Sequence, residues 1–194
     1  MADWYLHTPQ EILKQYWGFD NFRPAQEEII QSIVSCRDTL ALLPTGGGKS
    51  ICYQVPAMMQ EGICLVISPL IALMQDQVQR LQNIGIDAAC VHAGMRYTQV
   101  KGIFENAQQR AYKLLYLSPE RLQTDLFNEY LPGMQVSMVA VDEAHCISQW
   151  GHDFRPDYLQ IAALRRLCRD VPFLALTATA TPSVEKDIIQ QLQL

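Results

Sequence analysis

Short apolar runs alternate along the chain with stretches in which apolar residues recur every three or four positions. Six runs read as strands: Thr39–Leu43, Ile63–Ser68, Ala88–His92, Lys113–Leu117, Met138–Asp142 and Phe173–Thr177. They are continuous in Val, Ile, Leu and Ala rather than alternating with polar residues, as expected of a parallel sheet covered on both faces. Between them, helix starts are marked. Thr8-Pro9-Gln10-Glu11 combines a cap, a proline at the first helical position and a capping-box glutamate. Ser68-Pro69, Ser118-Pro119 and Thr181-Pro182 repeat the cap-and-proline device. Leu70, Leu73, Met74, Gln77 and Leu81 recur at the helical period and predict an apolar helix face with one polar interruption. Strand and helix alternating at this spacing predict βαβ units: an α/β fold with a mostly parallel sheet, right-handed crossovers and helices on both faces. On such sheets ligands bind beyond the carboxyl ends of the strands, so chemistry is sought there.

Composition narrows the class. The 194 residues fit a single domain, 1–194, large enough to bury a core without metal or disulfide staples. Hydrophobic residues make up 49% and charged residues 18%, which excludes disorder and fibrous repeats as the main description. No apolar run approaches the roughly 20 residues of a membrane span. The start, Met1-Ala2-Asp3-Trp4, lacks the basic and apolar segments of a signal peptide. The six cysteines are nowhere closer than twelve positions, so no zinc-ligand spacing occurs, and most sit in apolar runs. They read as small buried hydrophobes in a reducing compartment, and the expected location is cytoplasmic. With 15 basic and 20 acidic residues the net charge is −5, so any nucleic-acid function must rest on a local site.

Two strand ends carry the chemistry. After the first comes Pro44-Thr45-Gly46-Gly47-Gly48-Lys49-Ser50. Glycines there clear room for backbone N–H groups to wrap a phosphate, and the following helix offers its positive end. Lys49 is placed for the β- and γ-phosphates, and Ser50 for Mg²⁺. The full phosphate-loop pattern has a glycine where this chain has Leu43. After the fifth strand comes Asp142-Glu143-Ala144-His145. Acids ending an apolar strand are costly unless they act on something. Asp142 is placed to hold Mg²⁺ and Glu143 to polarise a water, which favours hydrolysis over transfer to a second substrate.

These motifs, with Thr177-Ala178-Thr179-Ala180, resemble those of superfamily-2 helicases, where the first glycine of the loop is commonly missing. Three further stretches narrow the resemblance to the RecQ family of DNA helicases, from about Leu13 to Leu194: Phe22-Arg23-Pro24-Ala25-Gln26, Ser118-Pro119-Glu120-Arg121-Leu122, and the run from Ala144 to Pro156. The resemblance implies a RecA-like phosphate-loop domain that uses ATP and Mg²⁺. It further implies an adenine pocket from Phe19, Arg23 and Gln26 within about residues 1–35, with Phe19 where the family usually has tyrosine. Base stacking on the aromatic and guanidinium, and a carboxamide bonding adenine in both senses, suit that role. Gln149, Trp150, His152, Phe154 and Arg155 match an aromatic-rich loop that senses single-stranded DNA. His145, expected to bond Thr177 or Gln149, and Thr177 and Thr179 match the elements that couple hydrolysis to DNA movement. Ser68, Pro69, Ser118 and Arg121 match backbone-phosphate contacts, with His92-Ala93-Gly94 on the same rim.

Trp150 and Phe154 also admit a reading as packing anchors, Phe154 more readily. Arg165, Arg166 and Arg169 read as a solvated face. Motifs for the second motor domain, its arginine finger, and zinc-binding and winged-helix parts do not occur in the chain. It is therefore expected to be the first motor domain of a longer protein, and the resemblance implies a DNA helicase that unwinds 3′–5′ in repair or recombination and acts on single strands and tailed duplexes. Rival readings are a nucleotide- and DNA-binding module without turnover, an RNA helicase domain, and a phosphate-loop kinase. Glu143 and the aromatic loop weigh against the kinase.

Overall fold

The computed structural model describes residues 8–194; the Met1-Ala2-Asp3-Trp4 start lies outside them. Six strands form one sheet: β1 Thr39–Leu42, β2 Ile63–Ile67, β3 Ala88–Val91, β4 Leu114–Leu117, β5 Val136–Val141 and β6 Phe173–Thr177. The order is β1-β6-β5-β2-β4-β3, and every neighbouring pair is parallel. All six expected strands are present. Leu43, Ser68 and Asp142, expected as last strand residues, fall one position beyond. Each still donates its N–H across the sheet, to the carbonyls of Thr177, Leu117 and Ile67. β5 begins two residues earlier than expected, β3 stops one residue short of the expected His92, and β4 starts one residue after the expected Lys113.

The strands run apolar because both faces are covered. Alternate residues of each strand feed two separate cores. Leu65, Leu115, Val139 and Phe173 pack under α5 Tyr97–Gln108, α6 Asp125–Tyr130, α7 Ile161–Leu167 and α8 Pro182–Leu192. Val66, Tyr116, Ala140 and Leu174 pack under α1 Pro9–Trp17, α2 Gln26–Val34, α3 Ile51–Met59 and α4 Ile71–Asn83. No helix among the described residues is long and apolar enough to cross a membrane. Cys52, Cys64, Cys146 and Cys168 are buried, Cys36 is exposed, and all six are free thiols.

Two caps form as read. Thr8 and Glu11 complete a capping box on α1, and the Thr181 hydroxyl accepts from the Val184 N–H at the start of α8. Ser68 and Ser118 do not cap. The residue before α4 is Leu70, and Ser118 precedes a short 3-10 turn, Pro119–Gln123, without a side-chain bond to it. Both serines continue their strands by pairing one residue further, which buries them. The apolar stripe of α4 is rotated from the expected one. Met74, Val78 and Leu81 are buried, while Leu70 and Leu73 are exposed. Arg165 is no solvated residue: its guanidinium pairs with Asp38, bonds the Val171 carbonyl at 3.1 Å and lies 4.7 Å over the Phe173 ring. Arg166 and Arg169 are exposed as expected.

Candidate nucleotide site and coupling loop

The strand order decides where chemistry assembles. β6 lies between β1 and β5, so the carboxyl ends of three strands bring together the glycine loop, Asp142-Glu143 and Thr177. Leu43, where a glycine was wanted, is buried and completes the β1 edge, so the loop begins one residue later at Pro44. A cavity of about 380 Å³ opens here, lined among others by Arg23, Thr45, Gly46, Gly48, Lys49, Ser50, Asp142 and Glu143.

The glycines are set by contact. A Cβ at Gly47 would stand 2.8 Å from the Pro44 carbonyl oxygen, and one at Gly48 would stand 2.4 Å from Gln26 Nε2. Among the described residues the N–H groups of Gly46, Gly48, Lys49 and Ser50 have no protein acceptor, the arrangement that suits an oxyanion. The Lys49 ammonium meets Glu143 Oε1 at 2.9 Å, across 94 positions of sequence. Behind them, Asp142 is buried, and its carboxyl accepts from the Glu143 N–H at 3.0 Å. Burial first, then the neighbouring Glu143 charge, push the Asp142 carboxyl up to about 6. A buried carboxylate beside a second acid gains from a cation, and Ser50 lines the same cavity.

The expected adenine segment lies against the loop. Gln26 is buried at the start of α2. Its Nε2 donates to the Gly47 and Gly48 carbonyls at 3.2 and 3.0 Å, and its Oε1 accepts from the Arg23 N–H at 2.8 Å. The carboxamide expected to read a base is here committed to the loop. The Arg23 guanidinium bonds the Gly46 carbonyl. Phe19, in the α1–α2 connection, is 56% exposed and so is not a core aromatic.

Beyond Glu143, which adopts the left-handed conformation at φ 48°, the chain makes a 3-10 turn, Ala144–Ile147. His145 Nδ1 bonds Thr177 Oγ1 at 2.9 Å and lies 3.4 Å from Glu143 Oε2. Of the two expected partners, Thr177 is the one found. Thr177 Oγ1 donates to the Thr179 carbonyl at 3.1 Å, so the ends of β5 and β6 form one polar chain. Burial, its largest influence, lowers the His145 imidazole below the usual histidine range.

Trp150 is 78% exposed, which removes the packing-anchor reading. Gln149 and His152 are exposed too, while Phe154 and Arg155 are half-buried. The anchor is Tyr158: it is fully buried, and its hydroxyl donates to the Asp142 carbonyl at 2.9 Å. Tyr158 lies two residues beyond the aromatic-rich run, and no local pattern marks it as the anchor. Arg121 does not point outward either. Its Nη2 donates to the carbonyls of His92, Ala93 and Met95 at 2.7, 3.1 and 3.3 Å, bracing the turn after β3. The Ser68 and Ser118 hydroxyls are buried, while Pro69 is half-buried. The rim next to β2 is apolar, with Leu70, Ile71 and Leu73 exposed.

A model of the DEAD/DEAH box helicase family matches residues 23–188. The chain is 49% identical over 191 residues to the ATP-dependent DNA helicase RecQ of Bacillus subtilis, covering 97% of this chain and 32% of that protein. It is 44% identical over 187 residues to RecQ of Haemophilus influenzae, covering 96% and 30%. Among solved structures, the helicase MrfA bound to DNA and AMPPNP superposes with TM-score 0.78 at 20% identity, over 99% of this chain and 28% of MrfA. The chain thus spans about a third of the length of these curated relatives.

Proposed function

This chain belongs to the DEAD/DEAH box helicase family, and we propose that it is the first motor domain of a RecQ-type ATP-dependent DNA helicase, residues 1–194 forming its ATP-binding domain. The observation that carries this is the meeting of Lys49 and Glu143 at 2.9 Å over the buried Asp142, seven residues before the exposed Trp150.

In this reading the glycine-loop N–H groups and Lys49 hold the β- and γ-phosphates. Phe19 and Arg23 flank the base, and Gln26 holds the loop in shape. Ser50 and Asp142 would hold Mg²⁺, which when bound neutralises charge on the phosphates. Lys49 exchanges the Glu143 carboxylate for phosphate oxygens, a stronger acceptor set. That frees Glu143 to accept a proton from the attacking water. His145, fixed by Thr177, reports the state of Glu143 to the β6 end and Thr179.

Trp150, with Phe154 and Arg155, stacks on single-stranded DNA without regard to sequence. Tyr158 transmits the loop position to Asp142. The backbone-phosphate track runs along the rim of Pro69 and the His92-Ala93-Gly94 turn, with Arg121 as its brace. A second motor domain in the longer protein supplies the arginine finger and completes 3′–5′ unwinding of tailed duplexes. Its place of action is the compartment holding the chromosome, cytoplasm or nucleus.

The test is ATP hydrolysis with and without single-stranded DNA, on this chain and on the longest available form of the protein. The longer form should hydrolyse ATP with strong DNA stimulation, and this chain alone should not unwind. Stimulation by RNA but not DNA would favour an RNA motor, and unwinding by this chain alone would overturn the half-motor reading.

A further inference from the structure

The turn after Glu143 gathers a second set of ligands outside the nucleotide site. His145, Cys146 and Asp153 each present one ligand atom, all within 4.8 Å of one another. Cys146 Sγ lies 3.6 Å from Asp153 Oδ2, and His145 Nε2 lies 3.9 Å from the same oxygen. Metal–ligand bonds of about 2.0–2.3 Å in a tetrahedron give edges of about 3.3–3.8 Å. The two edges to Asp153 Oδ2 lie close to that range, and the His145–Cys146 edge, within 4.8 Å, is the one that closes around an ion. Sequence spacing concealed the set, because a 3-10 turn and the returning loop bring the ligands together rather than one helix face.

The imidazole is already set for such a role. Thr177 Oγ1 gives its one proton to the Thr179 carbonyl, so it can only accept from His145 Nδ1, and Glu143 Oε2 lies on the same side. Nδ1 therefore carries the ring hydrogen, and Nε2 turns its lone pair toward Asp153. An acceptor behind the far nitrogen is the usual support of a histidine ligand. Nε2 and the Asp153 carboxylate thus face each other lone pair to lone pair, too far apart for a direct hydrogen bond. The Arg155 guanidinium, 3.7 Å from the same carboxylate oxygen, is the competing cation, and His152 stacks on His145 with ring centroids 6.0 Å apart.

We propose that His145, Cys146 and Asp153 form a site for a borderline-soft divalent cation of the zinc type, with water as fourth ligand. The donor set of imidazole, thiolate and carboxylate selects such an ion over Mg²⁺. Binding forms the metal–sulfur bond as the Cys146 thiol gives its proton to solvent, so one proton is released per ion. The ion would tie Asp153, on the aromatic loop, to the turn beside Glu143. Its consequence, a loop locked against DNA, rests on the coupling role proposed above; the binding itself does not.

The probe is Cd²⁺, titrated into the 194-residue chain while following the thiolate-to-metal charge-transfer absorption and the melting temperature. One equivalent should saturate the band. Cys146→Ala should remove it, Asp153→Asn should weaken binding by about tenfold or more, and Cys36→Ala, at the exposed thiol, should leave it intact. Asp153 is half exposed, so its variant folds even if Cys146→Ala does not. No saturable band, or a band unchanged in Asp153→Asn, overturns the site. In the longer protein Zn²⁺ should remove the DNA-stimulated part of hydrolysis, reversibly with a chelator and not in Asp153→Asn. Binding without that loss overturns the locking. Absence of any DNA stimulation before metal is added would instead sink the motor reading and leave the binding result standing.

Discussion

Gln26 shows how one side chain can serve two neighbours. Its carboxamide bridges the Arg23 N–H and the carbonyls of Gly47 and Gly48, so it shapes the phosphate loop whichever base is bound. Gln26→Ala should therefore lower GTP affinity as well as ATP affinity, each by about 1–3 kcal/mol, the cost of leaving buried partners unpaired. Isothermal titration with both nucleotides decides it; a loss confined to ATP would return Gln26 to base reading alone. Asp142 carries a different signature. Its carboxyl, raised to about 6 against an ordinary 3.8, is accommodated fully when protonated and at a cost when ionised. A raised folded-state value means the favourable contribution is present below the unfolded value and is lost as pH rises through about 6. Asp142→Asn should then stabilise the metal-free chain near pH 7.5 by up to about 3 kcal/mol, at 1.36 kcal/mol per unit, and by little near pH 4. Equal melting shifts at both pH values would show that the carboxyl is not under this stress.

At the scale of elements, the aromatic loop and the strand ends separate function from packing. Trp150 is exposed and Tyr158 is not. Trp150→Ala should leave stability within about 0.5 kcal/mol, as surface substitutions do, while removing most DNA stimulation in the longer protein. Tyr158→Phe should cost about 1–3 kcal/mol by unpairing the Asp142 carbonyl. Paired melting and DNA-stimulated hydrolysis check both, and a large stability loss at Trp150 would contradict the geometry. The strands were legible because continuous Val, Ile, Leu and Ala runs have few other places to go than a sheet buried on both faces. The serine caps were misread because the local Ser-Pro signal says nothing of the neighbouring strand. Ser68 and Ser118 each spend one more N–H on sheet pairing before the chain turns. The glycine loop and Asp142-Glu143 were legible as strand-end chemistry. That Lys49 holds Glu143, that Arg121 braces the β3 turn, and that Tyr158 anchors the aromatic loop are long-range contacts no local pattern encodes.

For the molecule as a whole, the sheet order makes the account coherent. Inserting β6 between β1 and β5 puts the glycine loop, Asp142-Glu143 and Thr177 at the carboxyl end of three adjacent strands. Net charge of −5 gives DNA little long-range attraction, so the proposed DNA binding would have to come from stacking and local backbone contacts. In the proposed function this domain binds ATP through Lys49 and hydrolyses it through Glu143. The most direct measurement is Mg-ATP affinity and hydrolysis, side by side, for Lys49→Ala and Glu143→Gln in the longest available protein. Lys49→Ala should weaken ATP binding by about 1.5–3 kcal/mol, the worth of a hydrogen bond to a charged group. Glu143→Gln should keep ATP bound and slow hydrolysis by about 10²–10⁴-fold, the range of a lost general base. Loss of ATP binding in Glu143→Gln as severe as in Lys49→Ala would contradict the account, since the carboxylate would then hold the site together rather than act on water.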